Sequence, residues 1–182
     1  EIRTIAQEQG LVSARKRDSQ DICFVPDGDY VKFMEQYTGK HYPPGNFLDA
    51  SGAVVGTHRG AVAYTIGQRK GLGIALGEPA YVFQKDMANN TVSVGKEALL
   101  FSKGLIADDL NWIPFDRLEA PLRLKAKTRY RQTEQWATAY PEGNGIRLEF
   151  DEPQRAITVG QAVVLYDGDL VLGGGTITGV IR

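Results

Sequence analysis

Cysteine is nearly absent from this sequence. Cys23 is the only one in 182 positions, so no disulfide can close within the chain, and a reducing cytoplasm is the expected compartment. Histidine is almost as scarce. His41 and His58 have no further thiol or imidazole at ligand spacing, which excludes a conventional zinc site, and no metal is expected. No apolar run approaches the length of a bilayer span and no signal peptide is visible, so no membrane partner is expected. An excess of charge of either sign is also missing. Lys and Arg number 21 against 22 Asp and Glu, so any attraction to a polyanion must come from a local patch. Apolar residues are present in ordinary amount, 42% of the chain, which suffices for one large domain or two small ones with a real core.

Along the chain the signals change from helix to strand. Ile2, Ile5, Ala6 and Gln9 keep helical spacing and Gly10 is placed as a left-handed cap, after which "LVSA" reads as a short strand. A helix and strand at the very start resemble the last unit of an α/β domain. "DYVKFMEQYT" reads as a helix with Asp29 at or near its N-cap. "GNFLDASGAVVGTH" and "AYVFQKDMANNTVSVG" read as hairpins, turning at Ala50 to Gly52 and at Asn89 and Asn90. A loop at Phe101 to Lys103 closes this middle part. From Leu105 onward "LRLKAKTRYR", "EQWATAYPE", "GIRLEFDE", "AVVLYDGD" and "LVLGGGTITGVI" are strands at regular spacing, with Pro153 at a bend or strand end. The expected fold is mainly β: a remnant of another domain over 1–24, a small central β-rich domain with one short helix over 25–103, and an antiparallel barrel over 104–182.

Three stretches bear on chemistry. In "LRLKAKTRYR" the cations Arg123, Lys125, Lys127, Arg129 and Arg131 fall on every second residue, so an unbroken strand would project all five to one side. Like charges in such a row need a polyanion or acidic cross-strand neighbours, and Glu149 and Asp151 in "GIRLEFDE" offer the second solution. The two readings, phosphate binding and pairing within the sheet, weigh evenly. "YTIGQRKGLGIALG" surrounds Gln68, Arg69 and Lys70 with glycines. Its spacing fits neither a dinucleotide fingerprint nor a P-loop. It reads first as a flexible surface loop, and second as a loop whose backbone and cations approach RNA. Cys23 stands in "DSQDICFV", where Asp18 and Asp21 disfavour a thiolate and residues 15–17 (RKR) favour one. Composition alone makes it a small buried thiol in a core strand.

The segments "DSQDICF", "TIGQRKGLG", "KTRYRQ", the run from Phe150 to Gln161 and "LGGGTI", in this order, closely resemble the tRNA-specific 2-thiouridylases, and the likeness covers nearly the whole chain. The resemblance implies a sulfurtransferase that thiolates the wobble uridine of certain tRNAs. An ATP-pyrophosphatase domain with an SGG phosphate loop would adenylate the uridine oxygen. A small central domain and a barrel similar to those of elongation factors would hold the tRNA. Cys23 matches the cysteine that carries a persulfide from a sulfur-donor protein, and a first cysteine would complete the transfer and can pair with it in a disulfide. Neither the SGG loop nor a second cysteine occurs in this sequence, so ATP is expected to bind outside it and the chain alone is expected to be inactive. Arg129, Tyr130 and Gln161 match tRNA contacts of the family. Lys127 and Arg131 flank them, and Gln68, Arg69 and Lys70 form a second candidate contact. This favours phosphate binding for the basic row. Tyr130 would face away from the row in an ideal strand, so either a bulge re-aims it or the strand ends there. The alternative is a free-standing RNA-binding barrel with a structural cysteine.

Overall fold

A computed structural model of the chain describes residues 2–15, 25 and 29–182. Cys23 lies outside these residues, as does most of the motif around it. The chain divides into two compact units, at the boundary between Tyr42 and Pro43.

Among its described residues the first unit holds two α-helices. Helix α1 (Ile2–Glu8) ends at Gly10, whose φ of 68° is left-handed. The Leu11 amide donates back to the Ala6 carbonyl and the Gly10 amide to Gln7, so these two carbonyls at the helix end are satisfied. The expected strand at "LVSA" is not formed. Val12–Arg15 is a 3-10 turn, with the Ala14 amide donating to Leu11. Among the described residues no strand lies beside it, and the local turn satisfies its backbone where a ladder would have been needed. Ile2, Ile5, Leu11 and Val12 are all exposed. Helix α2 (Tyr30–Thr38) starts where expected. The Asp29 carboxylate accepts from the Lys32 amide and Gly39 closes the other end at φ 67°.

The second unit begins with a four-stranded sheet, β1 (Gly45–Leu48), β2 (Val54–His58), β3 (Tyr81–Asp86) and β4 (Thr91–Gly95), in the order β2-β1-β4-β3. Both expected hairpins form. Asp49 organises the first turn by accepting from Ser51 and Ala53, and Asn90 takes φ 51° in the second. The Asn90 side chain then reaches out of its hairpin, donating to the carbonyls of Pro43 and Pro44 and accepting from the Ala61 amide. Phe47, Val82, Val92 and Val94 are fully buried here, with Tyr64 and Leu72 packed against them.

Six further strands close into an antiparallel barrel: β5 (Phe101–Trp112), β6 (Leu122–Lys127), β7 (Gln135–Glu142), β8 (Gly145–Arg155), β9 (Ala162–Asp167) and β10 (Leu170–Ile181), in the order β10-β5-β8-β7-β6-β9. The expected loop at Phe101 to Lys103 is instead the start of β5. Phe101 and Ser102 pair with Arg155 and Gln154, and that pairing extends the strand to the very edge of the preceding 3-10 turn. Pro153 lies inside β8 without ending it. The ladder adapts to it by jumping from Gln154 to Glu149 opposite Ser102 and Gly104. Gly104 has no alternative in this ladder, because a Cβ there would sit 2.3 Å from the Leu148 carbonyl oxygen. Inside the barrel Leu105, Leu124, Ala126, Ala137, Ala139, Leu148, Leu165 and Ile177 are sealed from solvent. Alanines alternate with leucines there because a six-stranded barrel has little interior width.

The small sheet also generates a pH dependence. His58 is buried against the rings of Phe47 and Tyr64, and its Nδ1 accepts from the Gly60 amide. Burial holds its pKa below the ordinary value of 6.5, opposed in part by the backbone of Asn90. The unfolded chain takes up a proton below about pH 6.5 that the folded chain resists, so stability is lost as pH falls through that value. Thermal melts from about pH 7.5 to about pH 5 should show this decline, and His58→Gln should flatten it.

Candidate nucleic-acid interface

Strand alternation places Arg123, Lys125 and Lys127 on the outer face of β6, while Leu124 and Ala126 fill the barrel. The row stops there. β6 ends at Lys127 and the chain turns, so Arg129 and Arg131 do not continue the strand face. Of the two ways to re-aim Tyr130, a bulge or a strand end, the chain uses the strand end. Gln132 makes the turn. Its Oε1 accepts from both the amide and the hydroxyl of Thr128, its own amide donates to the Arg129 carbonyl, and its Nε2 donates to Gln154 Oε1 at 2.6 Å. Thr128 and Gln154 are buried, so these polar groups find their partners inside the protein.

The cations meet different surroundings. The Arg123 guanidinium forms a two-pronged pair with Asp151, at 2.6 and 2.5 Å, so the expected acidic partner is real at this position. Glu149, the other expected partner, pairs with Arg147. Lys127 pairs with Glu134 at 2.8 Å. That hydrogen bond raises the pKa of Lys127 and lowers that of Glu134. Lys125 forms no salt bridge among the described residues; its Nζ lies 5.2 Å from the centre of the Trp136 ring. Arg129 turns inward. Its Nη2 donates to the Ala156 carbonyl at 2.9 Å and to the Ile66 carbonyl at 3.3 Å, and its Nε is buried without a partner. Burial, with Arg155 nearby, lowers its pKa from the ordinary value. No acid among the described residues pairs with it.

Tyr130 points the other way and is 97% exposed. It shares a groove of about 520 Å³ with Lys127, Arg129, Gln161 and Tyr166. Gln161 is held at the rim by its backbone, which donates to Thr158 and accepts from Ile177. Four of the residues singled out in the sequence thus come together across β6, the turn and the start of β9. Arg131 is exposed and lies outside the groove.

The glycine-rich loop is built differently from a flexible surface loop. The Gly67 amide donates to the Val82 carbonyl and the Val82 amide to the Gln68 carbonyl, which stitches the loop to β3. The Gln68 side chain folds back, accepting from Thr65 and donating to the Lys70 carbonyl. Arg69 lies over the Tyr81 ring at 5.9 Å and Lys70 is exposed. Gly67 combines φ 89° with close approach, since a Cβ there would meet that of Ala156 at 3.3 Å. This loop is not arranged as a phosphate-binding loop. It runs into β3 instead of opening a helix, and the Gly67 amide is used by the sheet. Among the described residues no group of His, Cys, Asp and Glu is arranged to hold a metal ion.

Two members of this surface escaped the sequence reading, Trp136 and Tyr166. The available signal was their phase. Each stands one residue from an inward-facing Ala or Leu, so each had to face outward beside the basic row.

Fold and site together define a β-barrel protein with a groove lined by cations and aromatics on one face. Comparison with known proteins gives the family. A model described as the tRNA methyl transferase PRC-barrel domain matches residues 31–96, one described as the aminomethyltransferase β-barrel domain matches 102–177, and one described as the tRNA methyl transferase HUP domain matches 1–27. The tRNA-specific 2-thiouridylase MnmA of Acetivibrio thermocellus is 55% identical over 97% of this chain and 50% of its own length. That of Heliobacterium modesticaldum is 51% identical over 97% and 47%, and that of Symbiobacterium thermophilum 50% identical over 100% and 47%. This chain belongs to the tRNA-specific 2-thiouridylase family and spans about half the length of the curated relatives it matches.

The geometry of Arg129 has a measurable consequence. Its guanidinium joins the loop at Ile66 to the barrel at Ala156, and removal would leave both carbonyls short of a charged donor. Arg129→Ala should lower unfolding stability by about 1–3 kcal/mol in urea titrations. Arg129→Lys should restore only part of it, because an ammonium lacks the planar fork.

Proposed function

We propose that this chain is the tRNA-holding and sulfur-carrying part of a tRNA uridine 2-sulfurtransferase that works in the cytoplasm. The observation that carries the reading is the groove, where the acid-free charge of Arg129 lies beside Lys127, the exposed Tyr130 and Gln161. A cation without an acid partner is suited to a phosphate, and an exposed aromatic ring to an unpaired base. Arg131, Arg69 and Lys70 add exposed positive charge that could follow the RNA backbone.

In this reading Cys23 carries the persulfide received from a sulfur-donor protein. ATP activates the uridine oxygen in the part of the relatives' length that this chain does not span. Splitting the displacement into steps through sulfur is what a cysteine contributes. In a protein of the relatives' full length, Cys23→Ser should abolish 2-thiouridine formation while leaving tRNA affinity unchanged. Retained thiolation would remove Cys23 from the mechanism.

The binding reading is tested by titrating the chain with tRNA over a series of salt concentrations. Affinity should fall steeply with salt as cations are released from the RNA. Arg131→Ala, which disturbs no described ion pair, should make that slope shallower by about one unit. An affinity indifferent to salt would overturn the assignment.

A further inference from the structure

Beyond the groove, the outer face of the barrel carries a row of rings and cations, with Arg123 and Lys125 lying 5.0 and 5.2 Å from the centre of the Trp136 ring. Trp136 on β7 is paired directly with Lys125 on β6, and Lys125 directly with Tyr166 on β9. The three side chains therefore form one line across three strands, all facing out, because Leu124, Ala126, Ala137 and Leu165 on either side of them face in. The line continues into the groove. The Lys127 Nζ lies 5.5 Å from the centre of the Tyr166 ring, and Tyr166 shares the groove with Tyr130. From Trp136 to Tyr130 the surface alternates ring and cation. Half of Trp136 is open to solvent. The acids near this surface are already engaged: Glu134 by Lys127 and Asp151 by Arg123.

We propose that this row is a stacking platform for unpaired nucleotides of a bound RNA, with Trp136 as its far anchor and Lys125 as the phosphate contact beside it. The inference rests on the RNA-binding reading above and adds to it a second contact outside the groove. Charge decides the polymer. Lys125 forms no direct ion pair among the described residues and only shares the more distant field of Glu134, which Lys127 already holds, so an anion is the complementary partner. The rings decide its state. A duplex offers phosphates but hides its base faces, whereas a single strand or loop presents a π-face to every exposed ring. Alternating cations and aromatics follow the backbone and bases of such a strand without reading its sequence.

Trp112 and Trp136 are the two tryptophans of the chain, so the difference in fluorescence between wild type and Trp136→Phe isolates the reporter. The full chain is titrated with an oligouridylate, with a stem-loop RNA, with a blunt RNA duplex of equal length and with polyglutamate. The oligouridylate and the stem-loop should quench Trp136; the duplex and polyglutamate should not. Trp136→Ala should weaken oligouridylate binding on the order of ten-fold with duplex binding unchanged, and Trp136→Phe should keep most of the affinity. Melts of each variant confirm that it is folded. RNA binding with no quenching and no effect of Trp136→Ala would overturn the platform and leave the groove reading standing. No RNA binding by wild type would overturn both. Equal quenching by duplex or polyglutamate would reduce the row to a nonspecific cationic surface and overturn the inference.

Discussion

Gln132 holds the end of β6 with both ends of its amide. Its carbonyl takes two hydrogen bonds from Thr128, and its NH2 group donates to Gln154, which in turn donates to the Glu152 carbonyl beside Pro153. All of this lies at the rim of the barrel, where Thr128 and Gln154 are buried. An unpaired polar group at such a place would be costly, so the clasp closes completely or the turn does not form. Its closure stops the strand at Lys127 and separates two neighbours in sequence. Arg129 is sent in toward Ile66 and Ala156, and Tyr130 is sent out to solvent.

The inward turn of Arg129 ties two parts of the second unit. The glycine-rich loop is bound to β3 on one side and to Arg129 on the other, while Arg155 reaches Glu97 in the 3-10 turn that precedes the barrel. The guanidinium therefore has a structural duty in its hydrogen bonds and an uncompensated charge left over. These are separable properties. Backbone carbonyls are neutral acceptors, so they orient the fork without cancelling its charge. A residue of this kind can position a loop and attract an anion at once.

Much of the architecture was legible because it rests on local rules. The Asp29 cap, the turn at Ala50 to Gly52, the Asn90 turn and the alternation of β6, β7 and β9 are each decided within a few residues. Where the reading failed, a distant partner decided. "LVSA" has strand composition but no neighbouring strand among the described residues. Phe101 to Lys103 has loop composition but finds Arg155 and Gln154 to pair with. Pro153 does not end its strand; of the two expectations, bend or end, the ladder irregularity between Gln154 and Glu149 fits the bend.

For the candidate site the same division holds. The types of side chain, their two-residue spacing and the isolation of Cys23 are properties of the sequence by itself, as is the family likeness carried by its ordered motifs. Tertiary structure decided which cations are neutralised. Asp151 reaches Arg123 across β7, Glu134 reaches Lys127, and Glu149 turns to Arg147 instead. It also decided that Gln161 joins Lys127, Arg129 and Tyr130 in one groove, and that Trp136 and Tyr166 flank Lys125. Charge pairing and ring contact depend on separations of a few ångströms; strand register sets them within the β6–β7 hairpin, and the pairing of β9 with β6 brings in Tyr166 and Gln161 from far along the chain.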